Sequence, residues 1–432
     1  MKILFLSPYF PPEMGAPSAR VSELARHWVQ AGHDVTVLTA FPNQPNGVVP
    51  PEYRKAMRRL VLTEDYRGAR VERTWLIPTP NRKPWERIAN YASYCVSAML
   101  RGLFLPKPEV IIGTSPHMLA AVAGLWLAKL RRVPFILEVR DLWPESLIGV
   151  GLAGSKHPLY RLVGKLADML YRHSDHVVVV SPAFKDYLHR YWDIPLDRMS
   201  IVVNGVEHDL FSPGEPDQRL LSELGLGGKF VVSYIGTLGN AQGASSILRA
   251  AALLVHRPEI AFLLVGDGAD RERIERQIRD QKLHNLKLLP QQPRSAVPGL
   301  ILSSKVCLVV LRDAEVFKTV IPTKMLEFMS CGRPVVVAVQ GQAQEIVKAA
   351  QAGLCVFPED PGALAAAVER LYKDEAERER LGRNGRNYVV RYFSRQQTAR
   401  DYIAVLQRVA GSKVSCPRRQ PADDGGKSVC GA

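Results

Sequence analysis

Val320-Ile321-Pro322-Thr323-Lys324-Met325-Leu326-Glu327-Phe328-Met329-Ser330-Cys331-Gly332-Arg333-Pro334-Val335-Val336 reads as a loop, a short helix, a glycine turn and a buried strand. Pro322 suits a helix entry, the residues after it are mostly good helix formers, and Gly332 supplies the stop. The β-branched run at 335–339 fits a strand of a parallel sheet. A helix starting here offers free N–H groups at 323 to 325, and its dipole favours an anion. Thr323 and Lys324 add a hydroxyl and a cation. Glu327, one turn further in, is placed to accept hydrogen bonds from ribose hydroxyls. An ordinary amphipathic helix with an exposed Lys and Glu has the same pattern, so the rest of the chain must decide.

Working outward, strand patterns alternate with helical ones. In the first half, strands are expected at 2–7, 34–39, 110–113, 134–139 and 176–181, with helices at 19–31 and 118–130. In the second half, strands at 230–235, 261–265, 286–289, 306–311, 335–338 and 353–356 alternate with helices at 244–256, 270–281, 323–330 and 361–372. This alternation builds βαβ units, so the expected class is α/β with parallel sheets in two Rossmann-like domains. Pro195, Asn204-Gly205 and Pro213-Gly214 punctuate the boundary. The expected division is 1–200, 201–385, a last helix over 386–411 and a polar, disordered tail over 412–432. Two such domains leave a cleft at the carboxyl ends of their strands.

Composition narrows the partners. A chain of 432 residues exceeds one ordinary core. The opening 1–7 is too short for a signal peptide and reads as a strand. No uninterrupted apolar run reaches the roughly 18 residues of a membrane span. The six Cys are scattered without metal-site spacing and suit a reducing cytoplasm. The net charge is +15, and residues 1–200 hold 26 Lys and Arg against 17 Asp and Glu. Contributors cluster at Arg54, Lys55, Arg58, Arg59, Arg67, Arg70, Arg73, Arg82, Lys83 and Arg87. Anionic lipid or a pyrophosphate substrate fits this excess, as does a generally basic solvated surface. Nucleic acid does not fit, because no recognition motif accompanies the charge. Trp85, Ile88, Tyr91, Tyr94, Val96, Met99, Leu103 and Phe104 stand beside those cations. The pattern suits an interfacial helix or a core helix with a basic outer face.

Four further segments sit where strands end. The 8–18 loop carries Gly15, which lets backbone approach a ligand. It is not the Gly-x-Gly-x-x-Gly fingerprint of nicotinamide enzymes. Arg20 follows in the next helix, facing the cleft or solvent. Arg140-Asp141-Leu142-Trp143-Pro144-Glu145 follows an apolar strand, so Asp141 is a candidate to take or orient an acceptor proton. A structural ion pair of Arg140 is the alternative. Gly236 to Gly243 is a second glycine-rich loop between strand and helix. Asp267, in Gly266-Asp267-Gly268, is expected to cap the helix after it. His117 is either an acceptor-side residue or a satisfied loop histidine.

In order and spacing these segments, with Asn204-Gly205-Val206, resemble family 4 glycosyltransferases of the GT-B fold. The resemblance covers all but the last twenty or so residues. It is nearest to the Pro-Ser/Thr-Lys-x-x-Glu enzymes of bacterial surface polysaccharides, such as fucosaminyltransferases of O-antigen and colanic acid synthesis. It implies transfer of a sugar, as hexosyl or N-acetylhexosaminyl, from a UDP-sugar to a polyprenyl-diphosphate-linked glycan at the inner membrane face. It also implies retention of configuration, no metal or cofactor, and a last helix crossing back onto the first domain. The implied donor residues are Gly236, Thr237, Gly239, Asn240, Gln242, Thr319, Pro322, Thr323, Lys324 and Glu327. The implied acceptor side is Gly15, Arg20, His117, Arg140 and Asp141, and the catalytic set is Asp141, Glu327 and Lys324. Two departures stand out. The family's diphosphate-clamping Arg and Lys are replaced by Leu238 and Gln242, and the first of its two Glu residues is Thr319. Lys324 is the candidate for the missing cation. An epimerase of the same fold and an inactive sugar-nucleotide-binding subunit remain alternatives.

Overall fold

The structure is a computed structural model that describes residues 1–414 except 45–46, 81–83, 116 and 152–153. Arg82 and Lys83 of the basic cluster therefore lie outside the described residues, as does the tail from 415 on.

The first domain holds an eight-stranded sheet: β1 Lys2–Leu6, β2 Asp34–Ala40, β3 Val61–Tyr66, β4 Ala69–Thr74, β5 Val110–Thr114, β6 Phe135–Val139, β7 His176–Val179 and β8 Met199–Ile201. Their order is β3-β4-β2-β1-β5-β6-β7-β8, parallel except for the antiparallel edge strand β3. The second domain holds β9 Phe230–Ile235, β10 Ile260–Val265, β11 Leu286–Leu289, β12 Val306–Val310, β13 Val335–Ala338 and β14 Gly353–Cys355. They form a parallel sheet in the order β11-β10-β9-β12-β13-β14. The apolar runs of β5, β6, β9, β10 and β12 are buried throughout, because helices cover both faces of each sheet.

The β3–β4 hairpin was not in the expected pattern. Its strands are rich in charge, yet Glu72 is buried, bonded by Arg70 at 2.7 Å and Arg101 at 3.0 Å. Arg73 is buried against Glu64 at 2.5 Å. Arg70 and Arg73 are thus committed to ion pairs, whereas Arg54, Lys55, Arg58 and Arg59 are exposed.

Helix Pro84–Leu103 has two unlike faces. Tyr94 and Ala98 are buried, while Trp85, Ile88, Val96, Leu100 and the following Phe104 face out, Phe104 at 80% exposure. Trp126 and Leu130 of the neighbouring helix Met118–Arg131 also face out. The outer face is therefore apolar, not basic. No described helix is long and apolar enough to cross a membrane.

The C-terminal helical pattern is two helices, Glu375–Tyr392 and Arg395–Val414. Ser394, at the break, bridges Val206. Gly205 is needed there: a Cβ would lie 2.8 Å from the Arg395 Cα. The last helix packs on helix Ala16–Gln30 of the first domain, where Trp28 Nε1 donates to the Ala399 carbonyl at 3.1 Å.

Candidate active site

Helix Thr323–Ser330 follows Pro322, which caps it with no side-chain hydrogen bond. Its first turn is partly closed. The Met325 N–H donates to the Pro322 carbonyl at 3.0 Å, so Thr323 and Lys324 keep open N–H groups and Met325 does not. An orphan pair of N–H groups at a helix start suits an anion.

Lys324 reaches back to the first glycine of the 236–243 loop. A Cβ on Gly236 would lie 2.8 Å from the Lys324 Nζ, and Gly236 has φ +152°, so only glycine leaves this space. The ammonium donates to the Tyr234 hydroxyl at 2.7 Å and lies 4.1 Å from that ring's centroid. It has no ion pair among the described residues. Burial pulls its pKa down to about 7, with Glu327 opposing that shift. A cation desolvated by its site and left without a carboxylate is set to gain from a bound anion.

The loop itself is braced from behind. Gly266 and Gly268 press on it so closely that a Cβ would meet the Gly236 and Leu238 carbonyls at 1.8 and 2.3 Å. Gln242 turns inward, its Oε1 accepting from the Gly239 N–H at 3.2 Å, and so shapes the loop. Thr237 and Asn240 are exposed. Asp267 does not cap the next helix. Its Oδ1 accepts from the adjacent Gly268 N–H at 2.7 Å, and Asp270 stands at the cap position.

Glu327 is buried and already partnered: its Oε1 accepts from Arg294 at 2.8 Å. Burial raises its carboxyl pKa, against the pull of Arg294. Arg294 also bonds Glu23 of the first domain at 2.7 Å, and Glu23 bonds Arg395 at 2.9 Å. Arg294 was missed because the sequence around it is an unpatterned Pro-Arg turn. Thr319 uses its hydroxyl on the Val316 carbonyl, and its own carbonyl accepts from Ser181 Oγ across the cleft at 2.9 Å.

On the first-domain side the placements differ from the expected acceptor set. Gly15, at φ +127°, caps helix Ala16–Gln30 and is exposed at the cleft loop. Arg20 is neither solvent-facing nor free. It is fully buried, bonded to Glu138 at 2.9 Å and to the Val202 and Val203 carbonyls and Asn204 Oδ1 at 3.1 Å. It ties the sheet to the domain junction because a buried guanidinium must fill its donors. His117 caps helix Met118–Arg131, its Nδ1 accepting from Ala120 N–H at 3.3 Å. Tyr91 lies 3.9 Å from its ring, and burial drives its pKa down to about 3, so it is neutral. Its Nε2 is buried without a hydrogen-bond partner among the described residues.

Among the described residues Arg140 makes no ion pair, so the structural pairing considered for it is not seen there. Its Nε and one terminal nitrogen are buried and unpartnered. Burial lowers its pKa to about 10 despite Glu138. Burial raises that of Asp141 to about 6, with Arg140 opposing. Asp141 thus approaches the range in which a carboxylate can exchange a proton near neutral pH.

Two α/β domains face each other across a cleft lined by glycine loops at the ends of their strands, where open α/β sheets hold ligands. The family models agree: "Glycosyl transferase 4-like domain" matches residues 15–205 and "Glycosyl transferases group 1" matches residues 219–388. The chain belongs to these glycosyltransferases and has the GT-B fold. It is 26% identical over 388 residues to WcaI of Escherichia coli K12, a glycosyl transferase named for colanic acid biosynthesis, covering 86% of this chain and 92% of that one. Its fold is also that of sucrose-phosphate synthase from Thermosynechococcus elongatus, at TM-score 0.75 and 21% identity over 95% and 99% of the two chains. Anabaena HepE, solved with UDP and glucose, superposes at TM-score 0.67 and 19% identity over 96% and 100%.

Proposed function

We propose that this glycosyltransferase moves a hexosyl or N-acetylhexosaminyl group from a UDP-sugar to a lipid-linked oligosaccharide in surface polysaccharide synthesis. The observation that carries the donor side is Lys324: a desolvated, unpaired ammonium beside Gly236, at a helix start with two open N–H groups. A diphosphate supplies the missing counter-charge. As the sugar leaves it, Lys324 and the helix start hold the growing negative charge, which is fixed electrostatic stabilisation. Glu327, oriented by Arg294, takes the ribose. Asp141 receives or orients the acceptor hydroxyl, and Arg140 holds an anionic part of the acceptor. HepE's complex with UDP and glucose and the colanic acid name of WcaI favour this donor and pathway class. Thermal shift across a panel of UDP-, GDP- and ADP-sugars tests the donor. Stabilisation by no UDP compound would reject it.

The lipid-linked acceptor brings a second surface into the proposal. The outward apolar face of helix Pro84–Leu103, extended by Trp126 and Leu130, sits on an anionic bilayer. Lys107, Lys129 and Arg132 are exposed on the same domain. Each cation near such a surface contributes about 1 kcal/mol, screened by salt. The enzyme should co-sediment with acidic liposomes at low salt and release at high salt. Phe104→Ser with Trp126→Ser should abolish that binding and leave UDP affinity intact. Wild-type protein that ignores acidic liposomes at low salt would remove the membrane from this reading.

A further inference from the structure

A cavity of about 680 Å³ lies between the two domains beside Thr319. Its floor is Leu142, Ile148 and Gly149, next to Asp141 in sequence. One wall is the stretch 314–319. The other is helix Pro182–Trp192, which presents Ala183, Asp186, Tyr187, Arg190 and Tyr191. That spacing is one helical face. The volume falls in the range of small-ligand sites, about 300–1,000 Å³.

The lining chemistry is mixed in a specific way. Tyr187 and Tyr191 form an aromatic pair, rings 4.6 Å apart and tilted 37°. Asp186 and Arg190 are exposed and make no ion pair among the described residues. Glu145 faces the Tyr187 hydroxyl, whose pKa burial and then this carboxylate push up, and its buried Oε2 has no well-aligned hydrogen-bond partner among the described residues. A sugar offers an apolar C–H face to aromatic rings and hydroxyls that both donate to carboxylates and accept from guanidinium. A nucleotide diphosphate fits poorly, since Glu315 neutralises Lys318 at 2.5 Å and Glu145 and Asp186 outnumber Arg190. An isoprenoid chain fits poorly too, since it would strip water from unpaired charges.

We propose that this groove is a saccharide subsite, in which Tyr187 and Tyr191 stack on a sugar of the acceptor and Glu145, Asp186 and Arg190 bond its hydroxyls. The inference rests on the glycosyl-transfer reading above and adds the place where the acceptor glycan is read. The groove begins at Thr319, where the donor wall ends. A sugar held there touches Leu142, the residue after Asp141, and Lys324 is not part of the lining.

The test uses the full chain with p-nitrophenyl β-glycosides of glucose, galactose and N-acetylglucosamine, observed by saturation-transfer NMR. UDP binding is measured by calorimetry on the same samples. At least one glycoside should receive saturation from the wild type. Tyr187→Ala combined with Arg190→Ala should weaken it about tenfold, the worth of one or two hydrogen bonds. UDP affinity, which also reports an intact fold, should be unchanged. UDP binding with no glycoside bound overturns the subsite alone, as does equal glycoside binding by the double variant. Farnesyl phosphate bound in place of glycosides, and lost in the double variant, overturns it in favour of a lipid groove. Failure of the wild type to bind UDP strikes the donor reading instead.

Discussion

Arg20 is a fully buried cation and Lys324 a half-buried one, and their surroundings are opposite. Arg20 spends its guanidinium on Glu138, two backbone carbonyls and Asn204, all within the protein. Lys324 has a tyrosine hydroxyl and a ring face, and no carboxylate. Burial costs both residues their hydration. Arg20 recovers that loss in the free protein, so it is scaffold. Lys324 recovers it when an anion arrives, so it is binding machinery. The identity of the residue does not separate the two roles; the count of satisfied donors does.

The largest expected effect comes from breaking the satisfied side. Arg20→Ala removes the ion-pair partner of the buried Glu138 and leaves it only the Thr114 hydroxyl at 2.7 Å and the nearby Arg140, which should cost about 3–5 kcal/mol of stability in denaturant unfolding. Stability within experimental error of the wild type would mean that Arg20 is not scaffold and that the contrast fails. Asp141 comes next. If it takes the acceptor proton, Asp141→Asn should lower turnover about 10²- to 10⁴-fold while donor affinity holds. The wild-type rate should also fall as pH drops through about 6, where burial places this carboxyl, and the variant should lose that limb. A variant that keeps wild-type turnover would return Asp141 to a structural part.

On the unsatisfied side, Lys324→Ala should weaken UDP binding by about 1.5–3 kcal/mol, the worth of a charge-assisted contact. Its melting temperature should hold or rise, because a half-buried charge without an ion pair is gone. A fall in stability without loss of UDP affinity would place Lys324 with Arg20. The smallest effect is on pH dependence. The free ammonium titrates near 7, and a bound diphosphate raises that value. The charged form predominates below 7 and is nearly complete a unit lower, so UDP affinity should be highest there. It should fall as pH rises toward the bound-state pKa, by at most about tenfold per pH unit. Calorimetry in buffers of different ionisation heat should then register proton uptake on binding at neutral pH. Zero uptake would contradict a depressed lysine.

Much of the fold was legible in the chain. The β5, β6, β9, β10 and β12 segments are apolar along their whole length, and that run survives any detail of packing. The β3–β4 hairpin was illegible, because its buried Glu72 and Arg73 look like surface until their partners from other elements are known. The site divides in the same way. Pro322, Lys324 and Gly236 could be singled out from local pattern. The use of Arg20 as scaffold, the partnering of Glu327 by Arg294, and the inward turn of Gln242 could not.

The sequence by itself determined the two parallel-sheet domains, the helix start after Pro322 and the glycine loops, since periodicity and turn chemistry act over neighbouring residues. Only the tertiary structure decided which charges are free. Arg294 lies 33 residues from Glu327 and 271 from Glu23, yet bonds both. Lys324 meets Tyr234 across 90 residues. A buried charge is neutralised by whatever the fold brings beside it, and no local pattern records that.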